Sequence, residues 1–107
     1  MDEVLMAAAQ ELDRRGWCKG RSRNEAGEVC LFGAVMSAVH PNTYGVGQGF
    51  SDEDVQKVMP HLERLTQYIN SKTGLAYPGS VYKYNDFFLT TKEEAAKTLM
   101  EAAEYHG

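Results

Sequence analysis

The chain has 107 residues, of which 43% are hydrophobic and 24% are charged. This balance is typical of a folded globular protein and argues against disorder along the whole length. The length is that of a single domain, residues 1–107, with one hydrophobic core. The net charge of −4 argues against a general nucleic-acid-binding protein, which usually carries a basic excess.

The sequence has no feature of a membrane or exported protein. No apolar run approaches the roughly 20 residues that span a bilayer, and the first residues lack the basic and apolar regions of an export signal. The expected compartment is therefore the cytoplasm, where Cys18 and Cys30 are expected to be free thiols. Neither cysteine has a second cysteine or a histidine at the spacing of a zinc site, so we expect no metal and no other cofactor.

The first part of the chain predicts two helices with a hairpin between them. Residues 2–15 carry apolar side chains at helical spacing, with acidic residues in the first turn, basic residues in the last and Gly16 as a stop. Residues 17–31 have room for two short strands, joined by a turn in which Gly27 can take a positive φ. Residues 33–40 are nearly all apolar, which predicts a short buried helix.

The second part of the chain predicts two further helices. After a glycine-rich loop at residues 41–50, Ser51 begins a capping box and an apolar helical stripe, in which a kink is expected at Pro60. Aromatic, irregular sequence follows, with room for one short strand at residues 81–84. A second capping box at Thr91 then begins a last, alanine-rich helix.

The predicted fold class is therefore mainly α (α+β): a four-helix-type small domain with a short β-hairpin between the first and second helices. The first and last helices both have alanine-rich apolar faces, which permit a close approach of their backbones. We expect these two helices to pack together.

Cys30 is the first candidate for chemistry, because it directly precedes the buried helix. The unpaired backbone N–H groups there could stabilise a thiolate. A catalytic thiol also needs a base, and the only histidines lie in no recognisable catalytic context: His40, His61 and His106. A free cysteine between apolar neighbours more often fills the core. We therefore name no catalytic residue and keep a thiol-dependent enzyme using Cys30 as a third hypothesis.

The segment around the only tryptophan, Trp17, is basic. Its five cations are Arg14, Arg15, Lys19, Arg21 and Arg23. In a strand, the last three of them would share one exposed face. Cations mixed with an aromatic ring can hold single-stranded nucleic acid, although they can equally bind an acidic protein surface. Cations in the last turn of a helix are also explained by the helix dipole alone.

Tyrosines form a second candidate surface. Tyr77, Tyr82 and Tyr84 lie close together in the sequence, and tyrosines are common anchors of protein interfaces. The glycine-rich loop at residues 41–50 has neither the strand–helix frame nor the lysine of a phosphate-binding loop, so it is expected to be a connector.

Four short motifs occur in a fixed order along the chain. They are Trp-Cys-Lys-Gly at 17–20, Gly-Glu-Val-Cys-Leu-Phe-Gly-Ala at 27–34, Tyr-Asn-Asp at 84–86 and Thr-Thr-Lys-Glu-Glu at 90–94. In this order they resemble a family of small actinobacterial and actinobacteriophage proteins with no assigned function. Tyr84 stands where members of that family typically have tryptophan, and residues 41–80 match none of its motifs.

The resemblance supplies no catalytic residue, but it implies a joint structural framework. The residues of that framework are Trp17, Gly27, Cys30, Gly33, Asn85 and Asp86. It also implies a phage origin, and small phage accessory proteins often bind a host protein. Our leading hypothesis is therefore a non-enzymatic accessory protein that binds a host or phage protein, with self-association as a further option. Nucleic-acid binding through residues 14–23 is the alternative.

Overall fold

A computed structural model describes residues 1–40, 51–74 and 80–106 of the protein. These residues form five α-helices and a π-helical turn, in the order α1 (Glu3–Arg15), α2 (Leu31–Val39), α3 (Asp52–Thr73), α4 (Ser80–Lys83), the π turn (Tyr84–Phe88) and α5 (Lys92–Glu104). The predicted mainly helical class fits this architecture. No helix in the described part of the chain is long and apolar enough to cross a membrane.

The predicted β-hairpin between α1 and α2 is wrong. The turn itself forms, because Gly27 takes a φ of 87° and its N–H donates to the carbonyl of Asn24 at 3.0 Å. The flanking segments do not pair with each other as strands. Instead Val29 makes two isolated bridges, a parallel one to Trp17 and an antiparallel one to Arg23. One extended residue therefore lies between two arms of a loop, and neither arm continues as a strand.

Helix α1 forms as predicted and packs against α5. The carboxylate of Asp2 caps α1 by accepting the N–H groups of Val4 and Leu5, and Gly16 ends the helix with a φ of 95°. The backbone N–H of Asp2 donates to the carbonyl of Ala103 at 2.8 Å, which joins the first turn of α1 to the end of α5. The predicted pairing of the first and last helices is confirmed.

Helix α5 begins where the sequence predicts. Thr91 and Glu94 form both hydrogen bonds of a capping box, and four residues of the apolar face are buried: Ala95, Leu99, Ala102 and Ala103. Met100, which the apolar spacing places on the same face, is instead 42% exposed. Thr98 is buried as well, so the buried face is displaced from the one that the apolar spacing predicts, and it is lined mostly by alanine.

Helix α3 is one continuous helix that contains Pro60. The hydroxyl of Ser51 caps it by accepting the N–H of Asp54 at 3.1 Å. Its buried residues are Val58, Leu65 and Ile69, so the apolar stripe keeps its phase across the proline. Pro60 is exposed, so the backbone carbonyl that loses its helical partner can be reached by water.

Two further boundaries differ from the sequence prediction. Helix α2 begins at Leu31 rather than Gly33, because Cys30 acts as its N-cap residue. The short strand at residues 81–84 is wrong, since this segment is the end of α4 followed by the π turn. Tyr77 and the glycine-rich loop at residues 41–50 lie outside the described residues.

Candidate functional site

Asn85 is the centre of the hydrogen-bonded junction between the loop after α1 and the π turn. Its side chain is fully buried. The Oδ1 atom accepts the indole N–H of Trp17 at 2.7 Å and the backbone N–H of Leu31 at 3.1 Å. The Nδ2 group donates to the carbonyl of Cys18 at 3.1 Å. A single buried amide thereby connects the π turn with both ends of the loop.

Asp86 extends this junction to the middle of the loop. Its Oδ1 atom accepts the backbone N–H of Gly20 at 3.1 Å and the Nδ2 group of Asn85 at 2.9 Å. We call Trp17, Asn85 and Asp86 the Asn85 junction. Because its bonds reach Cys18, Gly20 and Leu31, the loop is held against the π turn at its beginning and at its end.

The loop also closes tightly on α2 at Gly33. A Cβ atom at this position would lie 2.0 Å from the backbone oxygen of Ser22 and 3.2 Å from the Cβ of Val29. Only glycine permits this approach. The structure thus brings Trp17, Gly33, Asn85 and the residues beside them together, whereas Gly27 serves the separate turn described above.

Cys30 lies at the N-terminus of α2, as predicted, but its surroundings disfavour a thiolate. The Gly33 N–H donates to its Sγ at 3.4 Å. Burial is the largest influence on this thiol and raises its pKa to about 11, although the backbone N–H groups of Gly33 and Phe32 act in the opposite direction. Burial and the charge of Glu28 also raise the pKa of Cys18. Both cysteines are therefore protonated near neutral pH.

Two of the three histidines lie close to carboxylates. His61 Nδ1 lies 2.7 Å from Asp2 Oδ2, and His40 Nε2 lies 3.7 Å from Asp54 Oδ1. The Asp2–His61 contact joins residues 59 positions apart, and nothing in the sequence singles out this pair. Among residues 1–40, 51–74 and 80–106, no three His, Cys, Asp or Glu side chains are placed to hold a metal ion.

The basic segment does not form the predicted strand face. Arg14 and Arg15 both contact Glu11 Oε2 at 2.7 Å and so belong to the surface of α1. Lys19 Nζ lies 5.4 Å from the centre of the Trp17 ring. Arg21 is exposed and makes no ion pair with a residue that the structure describes, whereas Arg23 is half-buried. Within the basic segment, the exposed cations beside the Asn85 junction are therefore Lys19 and Arg21.

The exposed aromatic side chains differ from the predicted tyrosine cluster. Tyr84 is buried and stacks on Phe88, with 5.4 Å between the ring centres. Tyr82 is 42% exposed, Phe88 is 48% exposed and Phe87 is 77% exposed. We call Tyr82, Phe87 and Phe88 the aromatic surface. Sequence reasoning missed both phenylalanines, which directly follow Asn85 and Asp86 in the chain.

An open apolar groove lies beside Tyr82, between α2, α3 and α4. Its volume is about 460 Å³, and its lining residues are Phe32, Met59, Leu62, Glu63, Thr66, Gln67, Val81 and Tyr82. The rings of Phe32 and Tyr82 lie 5.4 Å apart at its edge. The segment that carries the aromatic surface thus begins at Tyr82, which lines the groove. Its Phe87 directly follows the Asn85 junction in the chain.

Residues 1–105 match a family model described as a family of unknown function, DUF6197. The protein belongs to this family. The match confirms the predicted resemblance to a family of small proteins without an assigned function. No curated protein and no solved structure matches the chain.

In this DUF6197 protein, the candidate functional site is a rigid surface around the π turn. The Asn85 junction fixes the π turn, which carries the exposed Phe87, and bonds this turn to Gly20, the chain neighbour of Lys19 and Arg21. Asn85 itself is fully buried and its amide makes four hydrogen bonds, so it supports the surface without being part of it.

Proposed function

We propose that this protein is a small, non-enzymatic accessory protein that binds another protein through its aromatic surface. The main support for this proposal is the exposure of Phe87. Its side chain is 77% exposed, in a turn whose residues Asn85 and Asp86 are held by hydrogen bonds. Single exposed hydrophobic residues are common, but here three large rings lie within seven residues of one segment. Exposed aromatic side chains are common anchors of protein-binding surfaces.

Rigidity supports the same proposal. Asn85 and Asp86 on one side, and the Tyr84–Phe88 ring stack on the other, fix the backbone around Phe87. The N–H of Leu89 donates to the carbonyl of Tyr84 at 3.2 Å and closes the turn. A side chain that is already positioned loses less conformational entropy on binding, so more of its burial contributes to affinity.

The resemblance noted in the sequence supports a phage-encoded protein that meets a host or phage partner in the cytoplasm. A thiol-dependent enzyme is less well supported, because Cys30 is buried and its pKa is raised to about 11. Nucleic-acid binding is also less well supported, since Arg14 and Arg15 pair with Glu11 and the net charge is −4. Phosphate recognition usually requires several cations along one groove.

The proposal is tested by affinity capture from an actinobacterial lysate that has been treated with nuclease. The full chain is immobilised as the wild type, as Phe87→Ser and as Met100→Ser. Met100 is also a large exposed hydrophobic residue, but it lies on α5. We expect one protein to be retained in near-stoichiometric amount by the wild type and by Met100→Ser. Loss of an interface anchor typically weakens binding by about 30-fold or more, so Phe87→Ser should retain little.

Two outcomes would contradict the proposal. The first is that the wild type retains no protein at near-stoichiometric yield. The second is that all three forms retain the same protein equally, which would place the contact away from the aromatic surface. Circular dichroism of each variant checks that the helical fold is unchanged before the capture is interpreted.

A further inference from the structure

The cations beside Phe87 carry a more specific inference about the partner. Phe87 directly follows Asp86, and Asp86 Oδ1 accepts the backbone N–H of Gly20 at 3.1 Å. Lys19 and Arg21, the two chain neighbours of Gly20, are both exposed. The Asn85 junction thus bonds the backbone between these two cations to Asp86, the chain neighbour of Phe87, which is the most exposed large hydrophobic side chain in the described part of the protein.

This local charge is opposite to that of the whole molecule. The chain carries 15 acidic and 11 basic residues, yet the loop at residues 17–23 contains three basic residues, Lys19, Arg21 and Arg23, and no acidic residue. Lys19 Nζ lies above the Trp17 ring at 5.4 Å, and the Trp17 indole is itself bonded to Asn85. Lys19 is therefore held close to the π turn by a cation–π contact rather than by a carboxylate.

We propose that the partner is a protein with an apolar pocket bordered by carboxylates, which takes the ring of Phe87 and pairs with Lys19 and Arg21. This inference rests on the proposed function and adds the chemistry of the partner. Charges across protein interfaces are usually complementary, and those at the rim steer association. The acidic rim of the partner would be repelled by the rest of this acidic protein. This repulsion would orient the partner towards the π turn.

The same surface fits nucleic acid less well. A single-stranded nucleic acid needs cations that follow its backbone as well as stacking rings. Arg14 and Arg15 are paired with Glu11, and Arg23 is half-buried against Val29. The two remaining cations of the segment neutralise few phosphates, whereas two cations at the rim of one apolar anchor are sufficient for a protein pocket.

The test uses two crosslinkers on the full chain in an actinobacterial lysate. A benzophenone analogue of phenylalanine replaces Phe87 or, as a control, Met100, and illumination joins it to any neighbouring molecule. A carbodiimide separately joins Lys19 to carboxylates that are in direct contact with it. We expect a protein adduct from position 87 but not from position 100. Peptide sequencing should place the carbodiimide link at an Asp or Glu near the position-87 adduct.

The charge-reversed double variant Lys19→Glu/Arg21→Glu provides the decisive comparison. We expect it to lower the yield of the position-87 adduct about tenfold, because attraction to the acidic rim becomes repulsion. The control Lys57→Glu reverses an exposed cation on α3 and should leave the yield unchanged. Both variants keep the residues of the Asn85 junction.

The outcomes separate this inference from the proposed function. A protein adduct at position 87 that survives the Lys19→Glu/Arg21→Glu change would overturn the acidic rim while leaving protein binding intact. A nuclease-sensitive adduct at position 87 would overturn both in favour of nucleic acid. The absence of an adduct at position 87, with the wild type also capturing no protein, would overturn both together.

Discussion

The indole N–H of Trp17 donates to Asn85 Oδ1 at 2.7 Å, although 68 positions separate the two residues in the chain. The same oxygen accepts the N–H of Leu31, and the amide nitrogen donates to the carbonyl of Cys18. This amide is the only described side chain shown to bond both ends of the loop between α1 and α2. The position of the loop therefore depends on a residue that is distant in the sequence.

Asn85→Ala should strongly destabilise the protein. It leaves the buried partners of the amide, the Trp17 indole and the Leu31 N–H among them, without hydrogen bonds. Each unsatisfied buried group costs about 1–3 kcal/mol, so a total loss of about 3 kcal/mol is expected. Urea unfolding followed by Trp17 fluorescence measures it. Gln56→Ala removes an exposed amide and should change the free energy by less than about 0.5 kcal/mol. Equal effects of the two changes would contradict the role of the junction.

Gly33→Ala should destabilise the protein by steric overlap. The new Cβ would lie 2.0 Å from the carbonyl oxygen of Ser22, which must then move together with the loop. A loss of about 3 kcal/mol is expected for overpacking against backbone. Gly20→Ala is the comparison, because open space surrounds it and only its φ of 81° is unfavourable. We expect a cost of about 1 kcal/mol there. Thermal unfolding should rank the two variants in this order, and the reverse order would refute the tight approach at Gly33.

The Asp2 carboxylate should make stability fall in acid. Burial alone would raise its pKa, but the hydrogen bond from His61 and those from the Leu5 and Val4 N–H groups leave the pKa below 3.8. Its stabilisation is therefore complete above about pH 4, the unfolded value, and is lost as the pH falls through the lower folded value. Asp2→Asn keeps a good helix cap but removes the charge, which should cost about 1 kcal/mol near neutral pH.

Melting temperatures between about pH 2 and neutrality measure this effect. Asp2→Asn should have a shallower acid loss than the wild type, although Glu11, whose pKa is also lowered, still contributes. Asp13→Asn is the control, because Asp13 is exposed and meets Lys92 at 3.5 Å on the surface. Identical acid profiles for the wild type and Asp2→Asn would show that the Asp2–His61 contact does not contribute.

The two thiols should differ in reactivity. Cys30 is buried with its pKa raised to about 11, while Cys18 is partly exposed. Alkylation of the native protein followed by mass spectrometry should therefore modify Cys18 first and Cys30 only as the protein unfolds. In the Cys18→Ser variant, the remaining thiol should react no faster than global unfolding. Rapid modification of Cys30 in that folded variant would restore the thiol-enzyme hypothesis.

Local signals in the sequence predict most of the helices. The capping box at Thr91 and the terminal Gly16 act within one turn of chain, so α5 and the end of α1 follow from nearby residues. The long α3 is predicted because the apolar spacing continues across Pro60. The start of α2 shifts to Leu31 because a cysteine, a weak signal for a cap, takes that position.

The non-local features could not be predicted in the same way. The sequence pattern around Gly27 does form a turn. However, Val29 hydrogen-bonds to Gly16 and Cys18 of one arm, while its neighbours Glu28 and Cys30 bond to Asn24 and Ser22 of the other, and this depends on how the loop meets α2. The exposure of Phe87 depends on the π turn, because one added residue in a helical turn rotates the side chains that follow it. The amino-acid composition does not predict that rotation.

The contact between Asp2 and Ala103 also has a consequence for synthesis on the ribosome. The apolar face of α1, with Leu5, Ala8 and Leu12, is covered largely by α5 and α2. During translation, α1 is made before its partner α5, which follows about 90 residues later in the chain. The core therefore closes only after Lys92–Glu104 leave the exit tunnel, and chains that stop before this helix should remain substrates for chaperones and proteases.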